Sequence, residues 1–159
     1  MGRTGDHNYF EGVEVGEIYE HTRGKTVTET DNVLLTNLVL NTAEGHFNED
    51  AMADSEFGER IVYGGINLSI VCGIASEDIS ENAITELGYD EVRFSNPVFH
   101  GDTLYAESEV LAKRPHEERD DGGVVEFRVR GYNQDGEQCV GATKTVLLKR
   151  RSHYGGDDP

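Results

Sequence analysis

The sequence predicts an α+β domain in which an antiparallel sheet wraps around one long helix. Three observations predict it. Ile66, Leu68, Ile70, Val71, Ile74 and Ala75 follow Gly64-Gly65 and make a helix apolar on most of its surface, which belongs in the middle of a fold. Four alternating stretches come after it: ITELGYDEVRF, DTLYAESEVLAK, GGVVEFRVRGYN and QCVGATKTVLLK. Their period of two is that of half-buried strands. A further strand-like stretch, Ile18 to Val27, precedes the helix and is interrupted by Gly24.

In chain order, residues 1–8 read as a flexible start, residues 9–151 as one domain and residues 152–159 as a flexible tail. A chain of 159 residues fits a single core. At Thr28 the period changes from strand to helix. Thr28 can cap, and Asp31 stands three residues on, where a capping box prefers Glu. Leu34, Leu35, Leu38 and Val39 follow at helical spacing, so a short buried helix running to about Asn41 is expected. Residues 42–60 form a polar connection with room for a helical turn near Glu49–Ala53; so long a link in a small domain is usually functional. Pro97, the charged turn at 115–123 and Asp135-Gly136 separate the later strands, the last being a hairpin signal. A sheet that encloses a helix buries both faces of that helix and one face of itself, the layout known as the hotdog fold. Such a sheet keeps open edges, and edges invite pairing, so a homodimer or a dimer-based oligomer is expected.

Charge is the strongest global feature: 31 acidic against 14 basic residues, net −17. The acid is spread along the chain, and ten of the basic residues are arginines. A diffuse acidic surface poor in lysine suits a halophilic, cytoplasmic protein, whose self-repulsion is screened by salt. It disfavours nucleic acid, which would be repelled. No apolar run approaches the length that spans a bilayer, so no membrane association is expected. Cys72 and Cys139 are isolated in apolar surroundings and read as buried thiols; no Cys/His spacing suggests a metal. No glycine-rich phosphate loop is present.

The chemistry concentrates in VLNTAEGHFNED, residues 39–50. A histidine held opposite a helix start, with small polar partners, can make an acid–base site beside an oxyanion site. Of this stretch Glu44, Glu49 and Asp50 read chiefly as surface charge on so acidic a protein. His100, in a turn between Pro97 and Gly101, reads as structural.

Three segments carry a resemblance to a known family. They are FSNPVFHGDTLYAESEVL at 94–111, FGERIVYGG at 57–65 and NTAEGHF at 41–47. The chain resembles the MaoC-like dehydratases, single-hotdog acyl-CoA hydratases of the (R)-specific enoyl-CoA hydratase type. YFEGVEVGEIYEHTRGKTVTETDNVLLTNLVLNT is most similar to the mesaconyl-CoA hydratases of that family, also described as β-methylmalyl-CoA dehydratases. In the family motif Asp-x-Asn-Pro-Leu-His, His46 falls at the histidine. Asn41 stands for the leading Asp, Ala43 for the Asn and Glu44 for the Pro, and Tyr63-Gly64 replaces the usual His-Gly.

The resemblance implies a hydro-lyase acting on an acyl-CoA, with coenzyme A as part of the substrate and no further cofactor. It implies that His46 is the general base and acid, and that the Gly64 or Gly65 N–H receives the thioester oxygen. Both glycines can equally serve a packing-driven turn. Asn41 would hold water or substrate, or cap the preceding helix. Glu44 and Tyr63 are candidates for substrate contact, Arg60 and Arg93 for a free carboxylate. Arg114, Lys149 and Arg150, beside Arg151, are the available cations for coenzyme A phosphates. Mesaconyl-CoA to β-methylmalyl-CoA is the expected reaction. The alternatives are a general (R)-3-hydroxyacyl-CoA dehydratase and a non-catalytic acyl-CoA-binding subunit. A thioesterase would need a carboxylate on the central helix, where Glu77 lies too far along.

Overall fold

The structure, a computed structural model, describes residues 8–154. A 3-10 turn at Phe10–Gly12 leads into β1 (Ile18–Glu20) and β2 (Lys25–Thr26). Three helices follow, α1 (Glu29–Leu38), α2 (Glu44–Phe47) and α3 (Glu49–Ala53), and then the long α4 (Gly64–Ile79). The remaining strands are β3 (Ala83–Phe94), β4 (Thr103–Pro115), β5 (Gly122–Tyr132) and β6 (Gln138–Lys149), and α5 (Arg151–Tyr154) closes the described chain. The sheet runs β1-β4-β5-β6-β3, antiparallel at every step, with β2 added against β4. This is the expected hotdog fold. β3 pairs with β6 on one side, which makes it an edge.

The core lies between α4 and the concave face of the sheet. Val71, Ala75 and Ile79 of α4 pack with Phe127 and Val129 of β5, and with Val140, Val146 and Leu148 of β6, all buried. The alternation read in the four late stretches sends these residues inward and Arg128, Arg130 and Glu126 outward. α4 is not enclosed on every side: Ser69, Gly73 and Glu77 form an exposed stripe.

α1 begins as its capping box dictates. The Thr28 hydroxyl accepts from the Asp31 N–H at 3.1 Å, and the Asp31 carboxylate accepts from the Thr28 N–H at 2.9 Å. The expectation that its leucines are buried is corrected. Leu34 is 58% and Leu38 77% exposed, while Asn32 and Thr36 are fully buried. Asn32 is a hub: its amide donates to the Ile61 carbonyl and to His100 Nε2, and its oxygen accepts from the Tyr63 N–H. The Thr36 hydroxyl donates to the Asn32 carbonyl at 2.6 Å. Hydrogen bonds that must be satisfied inside turned the polar face inward, and the apolar face was left outside.

The helix ends at a backbone motif in which the Asn41 N–H reaches the Thr36 carbonyl at 2.9 Å and the Leu40 N–H reaches that of Asn37 at 3.2 Å. Leu40 holds φ of 60° there, in the left-handed region, and is 87% exposed. A non-glycine residue in that conformation costs roughly 1 kcal/mol.

Most of the expected flexible ends lies outside the described residues. Within them Asn8 is buried, its amide donating to the Glu77 carbonyl at 2.8 Å, and residues 151–154 form a helical turn.

Candidate active site at the start of the central helix

α2 is a single turn, and its purpose is to set His46. The Ile61 N–H donates to the Gly45 carbonyl at 3.0 Å, tying this turn to the segment that enters α4. His46 is 8% exposed, and its Nδ1 lies 2.7 Å from the Ile61 carbonyl oxygen. A carbonyl only accepts, so Nδ1 carries the proton. In the neutral ring the lone pair is then on Nε2, which has no partner among the described residues. The Ile61 carbonyl is the same one that receives Asn32 Nδ2. Asn32, missed in the sequence, therefore fixes the acceptor that fixes the histidine. A signal was present: Asn32 and Thr36 are an uncharged polar pair at helical spacing, in a chain whose polar residues are mostly charged.

Three residues beyond Ile61, α4 starts without a side-chain cap, and its N-cap is Tyr63. The first helical donors that find an acceptor are Ile66 and Asn67, both to the Tyr63 carbonyl. The Gly64 and Gly65 N–H groups have no partner among the described residues. Free N–H groups at the start of a 16-residue helix favour negative charge. The glycines have a packing reason as well. A Cβ on Gly65 would stand 2.6 Å from the Tyr63 ring, and one on Gly64 would stand 3.0 Å from the Phe94 ring. The Tyr63 ring also meets the His46 ring, centroids 5.8 Å apart.

A cavity of about 450 Å³ opens at this helix start. Its walls are mostly apolar: Phe57, Ile61, Val62, Tyr63, Phe94 and Pro97, with Gly64 at the rim. Three amide or hydroxyl side chains reach it, Asn67, Ser95 and Asn96. No Lys or Arg lines it among the described residues.

The other sequence-predicted residues distribute differently. Asn41 is half-buried, and the bond it makes is a backbone one, to the Thr36 carbonyl, two residues past the α1 C-cap at Val39. Glu44 is exposed, receiving Asn48 Nδ2 at 3.2 Å. Arg60 is not available for a substrate carboxylate: it is bound by Glu29, at 2.8 Å, and by Glu49, and so clamps α1 to α3. These acids hold its guanidinium above its ordinary pKa. Arg93 lies opposite Gly141, as does Arg130, so it shares a groove with Arg128 and Arg130 on the sheet face turned from α4.

Arg114, Lys149 and Arg150 stand at the far end of the domain. Arg114 pairs with Glu126 at 3.1 Å, the Lys149 ammonium lies over Tyr154, and Arg150 lies over Phe10. The Lys149 N–H binds the Asn82 carbonyl, just past the C-terminus of α4. A 16-residue helix is about 24 Å long. One copy of the chain therefore does not bring these cations to His46. His100, read as structural, is so: it belongs to the Asn32 hub.

A family model described as mesaconyl-CoA hydratase matches residues 6–150. The β-methylmalyl-CoA dehydratase of Chloroflexus aurantiacus is 36% identical over 128 residues, covering 80% of this chain and 36% of its own. The mesaconyl-CoA hydratase of Haloarcula marismortui is 34% identical over 137 residues, covering 83% and 36%. A solved structure of a MaoC domain protein dehydratase from Chloroflexus aurantiacus superposes with a TM-score of 0.87 at 32% identity, over 92% of this chain and 46% of that one. The chain thus spans about a third of the length of the curated relatives it matches. By the match along nearly its whole length, the chain belongs to the mesaconyl-CoA hydratase family.

Proposed function

We propose that the chain reversibly hydrates an acyl-CoA thioester, converting mesaconyl-CoA to β-methylmalyl-CoA. The observation that carries this reading is a histidine of fixed tautomer whose ring meets Tyr63, the residue that caps α4 where its free N–H groups and a mostly apolar cavity begin. Water attacks C3 of the conjugated thioester, and His46 Nε2 takes one of its protons. The C2=C3 π electrons move toward the thioester oxygen. The Gly64 and Gly65 N–H groups bind that oxygen as its charge grows, aided by the helix dipole. The enolate then takes a proton at C2. With Asn41 in place of a carboxylate, the imidazolium of His46 is the acid at hand for that step. The mostly apolar walls lower the local dielectric and strengthen the binding of the thioester oxygen.

A second copy pairing along β3 supports the site. β3 is an open edge, and Leu87 and Phe94 on it are half-exposed. Antiparallel pairing of two β3 strands sets the Phe94 end of one copy beside the Ala83 end of the other. The basic residues near one copy's α4 C-terminus then approach the other copy's cavity, where coenzyme A phosphates need cations. No described helix is long and apolar enough to cross a membrane. The acidic surface and the dispersed charge support a halophilic, cytoplasmic protein. Its melting temperature should rise as KCl is raised toward molar levels.

The test is an assay in high salt with mesaconyl-CoA and with crotonyl-CoA, following loss of the enoyl absorbance and release of free thiol. Loss with mesaconyl-CoA and no thiol release is the expected result. Loss restricted to crotonyl-CoA, thiol release, or no change with either substrate would overturn it.

A further inference from the structure

Asn67 is 4% exposed, and its side-chain oxygen has no hydrogen-bond partner among the described residues. A buried amide oxygen left unsatisfied costs the fold about 1–3 kcal/mol, so its retention calls for a reason outside the fold. It sits three residues after Gly64, on the same face of α4, and both line the cavity. The other polar side chains there are already engaged: Ser95 and Asn96 each donate to the Gln138 carbonyl, at 2.6 and 2.7 Å. Asn67 and His46 flank Tyr63. Asn67 lies one helical turn on, with its N–H on the Tyr63 carbonyl, and His46 meets the ring.

We propose that Asn67 binds the hydroxyl group that is added to or lost from the acyl chain, its buried side-chain oxygen accepting the O–H that stays on that oxygen. The chemistry selects this partner. An orphaned acceptor needs a donor. Within the acyl group, the thioester carbonyl and a free carboxylate offer none, whereas the attacking water and the product hydroxyl do. Water carries two O–H groups. His46 Nε2 takes the proton that leaves, and Asn67 Oδ1 holds the other, which remains as the product O–H when the new C3–O bond forms and the π bond breaks. Two acceptors on one water fix its orientation and aim its lone pair at C3. The inference rests on the hydratase reading above.

Asn67→Leu and Asn67→Asp in the full chain test it, with kcat and KM on mesaconyl-CoA and crotonyl-CoA beside thermal melts. Asn67→Leu should lower kcat about 10- to 100-fold on both substrates, with KM nearly unchanged. It should melt at or above the parent temperature, since it removes an unsatisfied polar group. Asn67→Asp keeps an acceptor and should retain more activity than Asn67→Leu. Unchanged kcat in Asn67→Leu, a loss confined to mesaconyl-CoA, or a lower melting temperature would each overturn the assignment. A parent protein inactive on both substrates removes the hydratase reading and this inference with it. An active parent with an indifferent Asn67→Leu removes the inference alone.

Discussion

The two ends of α4 are opposite in their hydrogen bonding. At its start, the Gly64 and Gly65 N–H groups, His46 Nε2 and the Asn67 oxygen have no partner among the described residues. At its end, His21 and Lys144 are buried with partners. His21 is buried with Nδ1 2.6 Å from Asp78 and Nε2 2.8 Å from the Ser108 hydroxyl. Lys144, 1% exposed, reaches Glu86 at 2.5 Å and Ser80 at 3.2 Å. Ser108–His21–Asp78 has the connectivity of a nucleophilic triad, but Ser108 is 0% exposed and, unlike Asn67, does not line the cavity. Connectivity alone does not make a site. What separates the two ends is unused valence beside a cavity, and the same residue types close a fold at one end and leave chemistry open at the other.

Substitutions that break this contrast should act on activity at one end and on stability at the other. The largest effect is expected for His46→Ala: a fall in hydration of about 100- to 10,000-fold with little change in melting temperature, read by steady-state kinetics beside a thermal melt. Next is His21→Ala, which strands Asp78 and Ser108. It should cost about 2–3 kcal/mol in denaturant unfolding and leave turnover per folded molecule intact. Gly65→Ala places a methyl group against the Tyr63 ring and should lower kcat about 10-fold or more, mainly through the displaced oxyanion donors.

Glu86 gives a pH dependence. Its hydrogen bond from Lys144 holds its carboxyl below the ordinary value. A depressed folded pKa stabilises the protein above the unfolded value, and that stability is lost as pH falls through the folded one. The melting temperature should therefore drop on acidification below the usual carboxylate range, and less so in Glu86→Gln. The smallest effect is expected for Asn41→Ala. Its backbone closes α1 while its side chain makes no hydrogen bond to the described residues, so activity should change by no more than about 2-fold.

Much of the fold was legible because its signals are local. The capping box at Thr28, the strand alternation and the apolar run after Gly64-Gly65 each depend on neighbours a few positions apart. His46 stands out in the sequence for the same reason, as a histidine in a long polar link. Arg60 and Arg93 were not, because nothing local says that Glu29 and Glu49 claim one and that strand pleat turns the other outward. Nor was the buried face of α1, since spacing marks its leucines as an inward stripe whatever lies opposite.

The sequence by itself determined the elements and their order, the acidic surface, and the histidine with the glycine pair. Only the tertiary structure decided which nitrogen of His46 is free, through a carbonyl fifteen residues away that Asn32 also holds. It also decided that Asn67 is buried without a partner, and that the candidate phosphate-binding cations lie a helix length from the site. The physical reason is that helix and strand signals arise from short-range sterics and periodicity. Hydrogen-bond saturation depends on groups far apart in sequence that the fold brings together. At the start of α4, that difference left the valences open for the proposed reaction.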